Sequence, residues 1–202
     1  MSKYPVIIFE GIEASGKTTN IKIVSKYLRK IKKKFTIIRE PGGSKNSEIF
    51  RKYILNNKSD LSKKTDLFLI MASRSENIDK IIKKNQKKKI ILFDRFTDST
   101  IAYQHYGMGM NLKLITLMNN FIIEKFKSNL TILSVVNKTN MKKRLNVRKN
   151  VNKYDKFNYS FYNKVQKGFL KISRNNKNYI ILDSNKNNIK ENTEIIIEKL
   201  KK

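Results

Sequence analysis

The sequence predicts an α/β fold in which helices cover both faces of a five-stranded parallel sheet. The first observation is that short apolar runs alternate with segments of helical periodicity along the whole chain. These runs are rich in Ile, Leu and Val, as is typical of strands buried on both faces, and they lie at 6–9, 35–38, 90–93, 130–136 and 179–182. The second observation is the length of 202 residues, which suits one domain spanning 1–202.

Helical segments fill the intervals between the strands. After a first helix that ends near Lys32, helices are predicted at about 47–55, 65–84, 97–104, 112–127, 139–148, 159–174 and 189–200. The segment 149–158 has few apolar residues and is predicted to be a mobile loop. Such a loop could be a lid that closes over phosphates, in a lid segment of about 142–157, or an ordinary surface loop.

A phosphate-binding motif joins the first strand to the first helix. Residues 11–18 read G-x-x-x-x-G-K-T, the P-loop pattern, in the strand-to-helix context that this motif requires. Backbone N–H groups and the helix N-terminus favour bound phosphate. Lys17 is expected to reach the β- and γ-phosphates of ATP, and the hydroxyl of Thr18 to bind Mg²⁺. The motif predicts the P-loop NTPase fold and ATP contacts from Gly11, Ile12, Glu13, Ala14, Ser15, Gly16, Lys17, Thr18 and Thr19.

Charged side chains follow two other predicted strands, at the sheet edge where parallel α/β proteins bind ligands. Arg39 precedes a Pro-Gly-Gly turn and is a candidate phosphate clamp, although a solvated charge is the alternative. Asp94 and Arg95 follow the strand at 90–93. A carboxylate there is typical of a magnesium ligand, with the arginine facing the transferred phosphate, while a local ion pair is the alternative. Arg74 lies among small residues of a helix, where a ligand contact and an exposed charge are equally expected.

The net charge of +29 raises the possibility of nucleic-acid binding. However, 37 of the 45 basic residues are lysines, and they are scattered over every predicted helix together with abundant Asn and Ile. That distribution favours a compositional bias over a built basic patch, so nucleic acid is not the expected partner. The charge should still attract anionic nucleotides at low salt.

Other compositional features limit the class of protein. Cysteine is absent, which excludes disulfides and thiolate metal sites. No run approaches the roughly twenty apolar residues of a membrane span. The N-terminus leads directly into the first predicted strand, so no signal peptide is expected. We therefore expect a cytoplasmic protein without membrane association.

Several motifs in the first half of the chain resemble those of the thymidylate kinase family. They are the P-loop segment 9–19, the R-E-P-G-G turn at 39–43, A-S-R at 72–74, D-R at 94–95 and A-Y-Q at 102–104, in the family order over roughly residues 6 to 110. A P-loop alone indicates only a superfamily, whereas the R-E-P-G-G turn and the D-R pair are much more specific. Ala14 follows the P-loop carboxylate, which resembles the bacterial type with its catalytic arginine in the lid.

The resemblance implies a role for each matching residue. Glu13 would bind near the sugar 3′-hydroxyl of dTMP, Arg39 and Arg95 would clamp its 5′-phosphate, and Tyr103 would crowd the 2′ position. Arg74 would recognise the thymine edge with help from Thr100. The implied substrate-binding residues are Glu13, Arg39, Ile70, Arg74, Arg95, Thr100, Tyr103 and Gln104, the catalytic ones are Lys17, Arg95, Arg148 and Glu13, and the magnesium ligands are Thr18 and Asp94.

Two departures from the family pattern affect the predicted site. Ile70 stands where the family has a Phe that stacks on thymine, so aliphatic packing replaces stacking. The D-R pair of the lid aligns with Asn152 and Lys153, and lysine keeps the charge but loses the planar fork of arginine. Arg144, Arg148 and Lys153 fall in the lid segment, with Arg148 the best candidate for the lid arginine.

The resemblance implies an enzyme that phosphorylates dTMP to dTDP with ATP and Mg²⁺, as a homodimer. Another nucleoside monophosphate or deoxynucleoside kinase of the same fold is the main alternative, supported by Ile70. A basic nucleic-acid-binding protein that uses ATP as a switch is a third hypothesis. It rests on charge alone and gives no purpose to Arg39, Asp94 or Arg95.

Overall fold

The computed structural model describes residues 4–148, 151–174 and 176–201. Five strands form one parallel sheet in the order β2-β3-β1-β4-β5. Their bounds are Val6–Glu10 (β1), Phe35–Arg39 (β2), Ile90–Asp94 (β3), Leu130–Val135 (β4) and Tyr179–Asp183 (β5). The predicted α/β fold with a five-stranded parallel sheet is confirmed.

Helices connect successive strands, as parallel pairing requires. They are α1 (Lys17–Lys30), α2 (Lys45–Leu55), α3 (Lys63–Asn77), α4 (Lys83–Asn85), α5 (Thr97–Thr100), α6 (Leu112–Ile123), α7 (Lys138–Asn146), α8 (Tyr159–Ser173) and α9 (Ile189–Lys201). Side chains of Ser44, Ser62, Asn111, Asn137 and Asn158 cap α2, α3, α6, α7 and α8 by accepting backbone N–H bonds. These short polar residues therefore fix where the helices begin.

Two helical segments of π geometry lie in the chain. Ile78–Ile82 joins α3 to α4, and Ile101–Gly107 continues α5. The sequence predicts one α-helix over 65–84, whereas the observed helix changes to the wider π spacing after Asn77. Ile78 and Ile82 are both buried in this segment, so it keeps its apolar side on the sheet.

Alternate side chains of each strand enter different apolar layers. Ile7 and Phe9 of β1 pack with residues of α1 and α9, whereas Val6 and Ile8 pack with the π segment after α3. A further cluster joins α8 to the segment after α5, and its buried members include Tyr103, Tyr162, Val165 and Phe169. Both faces of the sheet are therefore covered, and the carboxyl ends of the strands form the open edge.

The segment at 151–157 differs from the mobile loop predicted for 149–158. Lys153–Lys156 forms a 3₁₀ turn, and the ring of Tyr154 is buried against Tyr103 at a centroid separation of 5.8 Å. Tyr162 donates its hydroxyl hydrogen to the backbone oxygen of Tyr154. One buried aromatic ring thus anchors a segment that is otherwise polar. The predicted loop residues 149 and 150 lie outside the described residues.

Candidate active site

The loop between β1 and α1 has the tight geometry expected of a phosphate-binding loop. Gly11 has a φ of +138°, and a Cβ atom there would lie 2.3 Å from the backbone oxygen of Ser134. Only glycine fits this approach to β4. Gly16, at a φ of +100°, begins α1, whose first N–H groups face the loop. The loop therefore directs a helix N-terminus towards any bound phosphate.

Lys17 is held inside this loop. Its Nζ donates to the backbone oxygens of Gly11 at 2.9 Å and Ile12 at 2.8 Å. Burial, with a further contribution from the Arg95 cation, lowers the pKa of Lys17 to about 8. A phosphate anion nearby would favour the charged form of the lysine and reverse this effect. Lys17 therefore lies where a phosphate would gain a buried cation.

Arg95, Glu13 and Tyr103 form one cluster next to the loop. Nη2 of Arg95 donates to Oε1 of Glu13 at 2.8 Å, and Nη1 donates to the Gly11 oxygen at 2.9 Å. Tyr103 donates its hydroxyl hydrogen to Oε2 of Glu13, and the Arg95 guanidinium lies 5.0 Å from the centre of the Tyr103 ring. Burial raises the pKa of Tyr103, so this hydroxyl stays a donor. Both oxygens of Glu13 are thus engaged by residues of the β3 connection.

Arg74 is buried, with only 1% of its surface exposed, and its guanidinium connects four parts of the chain. Nε donates to Glu40 at 2.8 Å, Nη1 to Asn119 at 2.6 Å and Nη2 to Thr100 at 3.0 Å. Burial raises the pKa of Glu40, against the opposing effect of Arg74. The alternative that Arg74 is an exposed charge is wrong. Nη1 also lies 3.8 Å from the Met71 sulfur, so one N–H of Nη2 remains, and Arg74 lines the cleft described below.

Arg39 ends β2 at the same edge of the sheet. Its side chain is 53% exposed, and Nη2 lies 3.9 Å from Glu48. Arg51 of α2 lies beside it and donates to the Pro41 oxygen at 2.5 Å. Burial, followed by repulsion from Arg39, lowers the pKa of Arg51 to about 10. Two arginines therefore face the same space, although only Arg39 was expected from the sequence.

A cleft of about 570 Å³ brings most of the predicted site residues together. Its walls include Glu13, Ala14, Ser15, Gly16, Lys17, Thr18, Thr19, Arg39, Ile70, Arg74, Asp94, Arg95, Thr100, Tyr103, Gln104 and Arg148. Gly11 and Ile12 lie behind this wall, where their oxygens bind Lys17. The size suits a small-molecule site. The lining combines arginines, the phosphate loop and apolar side chains.

Thr18 and Asp94 are the two expected magnesium ligands, and both line the cleft. They offer a hydroxyl and a carboxylate oxygen, which are donors that Mg²⁺ accepts. Within residues 4–148, 151–174 and 176–201, no group of three or more His, Cys, Asp or Glu side chains could hold a metal ion. The donor set fits an ion held by few protein ligands together with phosphates and water, as is usual for Mg²⁺.

Comparison with known proteins gives a consistent result. The family model described as thymidylate kinase matches residues 9–196. The thymidylate kinase of Wolbachia pipientis wMel is 38% identical over 170 residues, covering 83% of this chain and 84% of that protein. The thymidylate kinase of Mycoplasma capricolum subsp. capricolum is 35% identical over 203 residues, covering 96% and 95%. The chain belongs to the thymidylate kinase family.

A solved structure of the family extends this similarity to three dimensions. The crystal structure of thymidylate kinase from Ehrlichia chaffeensis superimposes with a TM-score of 0.80 at 30% identity, and the match covers 100% of both chains. Since the superposition spans the whole chain, it confirms the P-loop NTPase fold predicted from the motif at 11–18. It includes the weakly patterned second half, where sequence motifs alone gave the least information.

Arg148 and Lys153, the two basic residues considered for the lid of this thymidylate kinase family member, have different surroundings. Nη1 of Arg148 lies 2.6 Å from Oδ1 of Asp155, and Arg148 lines the cleft. Lys153 does not line the cleft, because its Nζ lies 2.6 Å from the buried Oδ2 of Asp66 on α3. Lys153 is therefore ion-paired away from the phosphate loop.

Several other cleft residues were not predicted as site residues from the sequence. Arg51 and Tyr154 line the cleft, as do Asn152 and Arg144. Arg144 donates to the Ala14 oxygen at 3.0 Å and to the Ser184 oxygen at 3.2 Å, which ties α7 to the phosphate loop. Nothing in the local sequence marks Arg51 as a site residue, because it is one basic residue among many on an amphipathic helix.

Proposed function

We propose that this chain transfers a phosphoryl group from ATP to the 5′-phosphate of dTMP, giving ADP and dTDP. The observation that carries the proposal is the contact of Arg95 and Tyr103 with Glu13 of the phosphate loop. This contact unites a phosphate-binding loop with a cluster suited to a deoxynucleotide in a single cleft. Membership of the family supports the same reaction.

The phosphate loop would bind the donor nucleotide. Its N–H groups and the α1 N-terminus would hold the phosphates of ATP, with Lys17 at the β- and γ-phosphates. Arg144 bridges the loop and the β5–α9 connection, so it would brace the donor side of the cleft. On the acceptor side, Arg39 and Arg95 would bind the 5′-phosphate of dTMP.

The sugar and base would lie between Tyr103 and α3. Glu13 is fixed at both oxygens and would accept from the 3′-hydroxyl. Tyr103 would leave no room for a 2′-hydroxyl. Ile70 supplies an apolar surface for thymine. Arg74, held by Thr100 and other partners, would present its one remaining N–H, on Nη2, to the base edge. Gln104 is buried beneath this region and donates weakly to the Tyr154 hydroxyl at 3.4 Å.

The chemistry requires positioning and charge neutralisation more than proton transfer. The dTMP phosphate is already anionic, so it can attack without a strong general base. Lys17, Arg95 and Arg148 would balance the charge that spreads over the transferred group. Thr18 and Asp94 would hold Mg²⁺, which supplies further charge neutralisation when bound. Asp94→Asn should therefore raise the Mg²⁺ concentration needed for the half-maximal rate, while Asp60→Asn, a change outside the cleft, should not.

The deciding experiment mixes the purified protein with ATP, Mg²⁺ and one monophosphate at a time, and measures ADP release. Turnover should be greatest with dTMP, weaker with dUMP and absent with UMP. A greater rate with another monophosphate would instead support a different kinase of this fold. Salt-dependent binding to duplex DNA, without turnover of any monophosphate, would favour the nucleic-acid hypothesis.

We also infer that two copies associate through α2, α3 and α6. Residues 114–123 contain no charged residue in a chain that is 30% charged. Leu114, Leu117 and Phe121 of this run are 45%, 68% and 83% exposed, and Tyr53 and Phe68 expose 60% and 58% on the neighbouring helices. In a protein with a net charge of +29, repulsion opposes self-association least where like charges are sparse. A second copy therefore suits this face.

Light scattering tests the homodimer directly. The wild-type protein should have twice the mass of the chain, and Phe121→Asp should halve it. Ile189→Asp is the matched control, since Ile189 is 65% exposed at the start of α9 and away from this face. A monomeric wild type would contradict the inference.

A location in the cytoplasm, where ATP and dTMP are available, is also proposed. None of the helices in the described part of the chain has the length and hydropathy of a membrane span.

A further inference from the structure

The ion pair between Lys153 and Asp66 joins two segments that are far apart in sequence. Lys153 lies in the 3₁₀ turn, and Asp66 lies in the first turn of α3. The two side chains are 18% and 2% exposed, with Nζ and Oδ2 separated by 2.6 Å. Such a contact is protected from solvent screening, unlike most surface ion pairs.

Asp66 depends on this lysine. Its other oxygen, Oδ1, is buried and has no hydrogen-bond partner within the described residues. Burial raises the pKa of Asp66, and the bond and charge of Lys153 oppose that rise. Removing the lysine would leave a buried carboxylate without its compensating charge, which is strongly unfavourable.

The residues 151–157, here named the lid turn, contact the site through other side chains. Tyr154 packs edge-on against Tyr103, whose hydroxyl binds Glu13. Asp155 closes the lid turn by accepting from the Asn152 backbone at 2.8 Å, and it also binds Arg148 at 2.6 Å. The lid turn therefore contacts two of the predicted site residues, Tyr103 and Arg148.

The lid turn is further attached to the loop before α3. Asn57 donates to the Val151 oxygen at 2.7 Å, and Lys156 lies 3.5 Å from the Asn57 oxygen. Both contacts are exposed. The Lys153 pair is the most buried of these attachments, and α3, which it reaches, also carries Ile70 and Arg74.

We propose that Lys153 is a positioning residue that fastens the lid turn to α3 through Asp66, and so holds Tyr154 against Tyr103 and Arg148 at the cleft. This inference rests on the proposed function. A phosphate-binding role would place the ammonium group in the cleft, whereas it lies beside a buried carboxylate outside it. The arginine implied by the family resemblance would place its charge at the transferred phosphate. The lysine of this chain would instead attach the lid turn to α3.

The first test compares Lys153→Met with Lys64→Met. Lys64 is an exposed lysine in the same helical turn as Asp66, so its removal makes the same change in net charge. Lys153→Met should raise the KM for dTMP about tenfold, because small displacements of groups that form a site cost up to about 10²-fold. The KM for ATP should stay within about twofold, because the phosphate loop is held by its own contacts with Arg95 and Arg144. Lys64→Met should resemble the wild type.

The second test needs no turnover. Amide hydrogen exchange in the lid turn should be faster in Lys153→Met than in the wild type or in Lys64→Met, since local opening exposes these amides. Asp66→Asn should show the same faster exchange and the same raised KM for dTMP as Lys153→Met. The double variant should differ little from either single variant, because both substitutions remove the same ion pair. Lys153→Arg, which keeps the pair, should preserve slow exchange.

The outcomes separate this inference from the proposed reaction. If the wild type does not phosphorylate dTMP, the proposed function fails, while the exchange experiment still tests the attachment. A large loss of kcat in Lys153→Met with unchanged lid-turn exchange would identify Lys153 as a phosphate ligand and overturn the inference. Unchanged exchange with unchanged kinetics would overturn it as well.

Discussion

Arg95 at the end of β3 binds Glu13 of the phosphate loop, with 2.8 Å between Nη2 and Oε1. The backbone of Arg95 has a φ of +71°, which non-glycine residues rarely adopt. Its N–H donates to the Phe9 oxygen at 3.0 Å, so the adjoining strand β1 holds this conformation. Strained residues of this kind persist where the surroundings fix them, often at functional sites. The arginine is therefore oriented before any ligand binds.

Replacing Arg95 by alanine should lower kcat by roughly 10³-fold or more, the effect of removing a transition-state arginine in phosphoryl transfer. The guanidinium would no longer balance the charge on the transferred phosphoryl group. Steady-state ADP release with saturating dTMP measures this effect.

Two variants control for the Arg95 result. Arg29→Ala removes an exposed arginine of α1 that lies outside the cleft, and it should leave kcat unchanged. Arg95→Lys keeps the charge but loses the planar fork of the guanidinium, so its kcat should lie between those of the wild type and Arg95→Ala. Near-normal turnover of folded Arg95→Ala would show that Arg95 does not act on the transferred group.

Tyr103 should exclude ribonucleotides through its ring. The ring packs edge-on against Tyr154, Phe161 and Phe169 at 5.8–6.3 Å, which fixes its position beside the sugar. Tyr103→Ala should therefore raise the ratio of UMP to dUMP turnover by removing the obstacle at the 2′ position. Parallel assays of the two monophosphates give this ratio.

Tyr103→Phe distinguishes the ring from its hydroxyl. This variant keeps the ring and loses only the bond to Glu13, so discrimination against UMP should be retained. Circular dichroism should accompany both variants, because truncating a buried aromatic residue costs about 3–5 kcal/mol. If folded Tyr103→Ala discriminates as well as the wild type, another residue sets the sugar preference.

The five strands and the open edge of the sheet followed from local patterns, whereas their order in the sheet did not. Strands buried on both faces are short apolar runs, and the P-loop fixes the first strand-to-helix connection. The charges at Arg39, Asp94 and Arg95 could be predicted because they follow such runs directly. The roles of these residues remain predictions, although the cleft brings them together.

Long-range contacts could not be predicted in the same way. Lys153 is one lysine among 37, and nothing local marks its pairing with Asp66, which lies 87 positions away. Tyr154 stands in a polar segment whose composition predicts a loop, yet its ring is buried by residues of α8 and the segment after α5. In both cases the tertiary environment decides the structure, because the local sequence is compatible with solvent exposure.

Ile70 lines the cleft with 8% of its surface exposed, at the position where the family resemblance implies a phenylalanine. Ile70→Phe should lower the KM for dTMP by about two- to tenfold, since aromatic stacking adds about 0.5–1.5 kcal/mol to burial. The gain should be similar for dUMP, because both bases have a π face. Titration of each monophosphate at saturating ATP measures it.

Ile70→Leu is the matched control, because it conserves volume and adds no aromatic face. Its KM should stay close to that of the wild type. A higher KM for Ile70→Phe, with Ile70→Leu unchanged, would mean that the ring crowds the pocket and that the isoleucine is suited to its neighbours.

Glu10 is a fully buried carboxylate at the end of β1. It accepts from the backbone N–H groups of Phe96 at 2.8 Å and Ser99 at 3.2 Å, and from the Ser99 hydroxyl at 2.5 Å. Burial, and then repulsion from Asp98, raise the pKa of Glu10 from 4.5 to about 7, against the opposing effects of these bonds and of Arg95. The residue thus connects β1 to the start of α5 in a protonation-dependent way.

A raised pKa means that the folded protein binds a proton more tightly than the unfolded chain does. The contribution of Glu10 to stability is therefore complete below pH 4.5 and is lost as the pH rises through about 7. Glu10→Gln, which cannot ionise, should remove this part of the dependence. The free energy of unfolding of the variant minus that of the wild type should increase by up to about 3 kcal/mol from pH 4.5 to 8.

Urea unfolding at several pH values between 4.5 and 8 measures this difference. Glu191→Gln is the control, since Glu191 is an exposed glutamate in the first turn of α9, and its curve should run parallel to that of the wild type. Asp98 keeps its own raised pKa, also caused by burial, so some pH dependence should remain in Glu10→Gln. A constant difference between Glu10→Gln and the wild type would show that Glu10 is ionised throughout this range and that its three hydrogen bonds outweigh its burial.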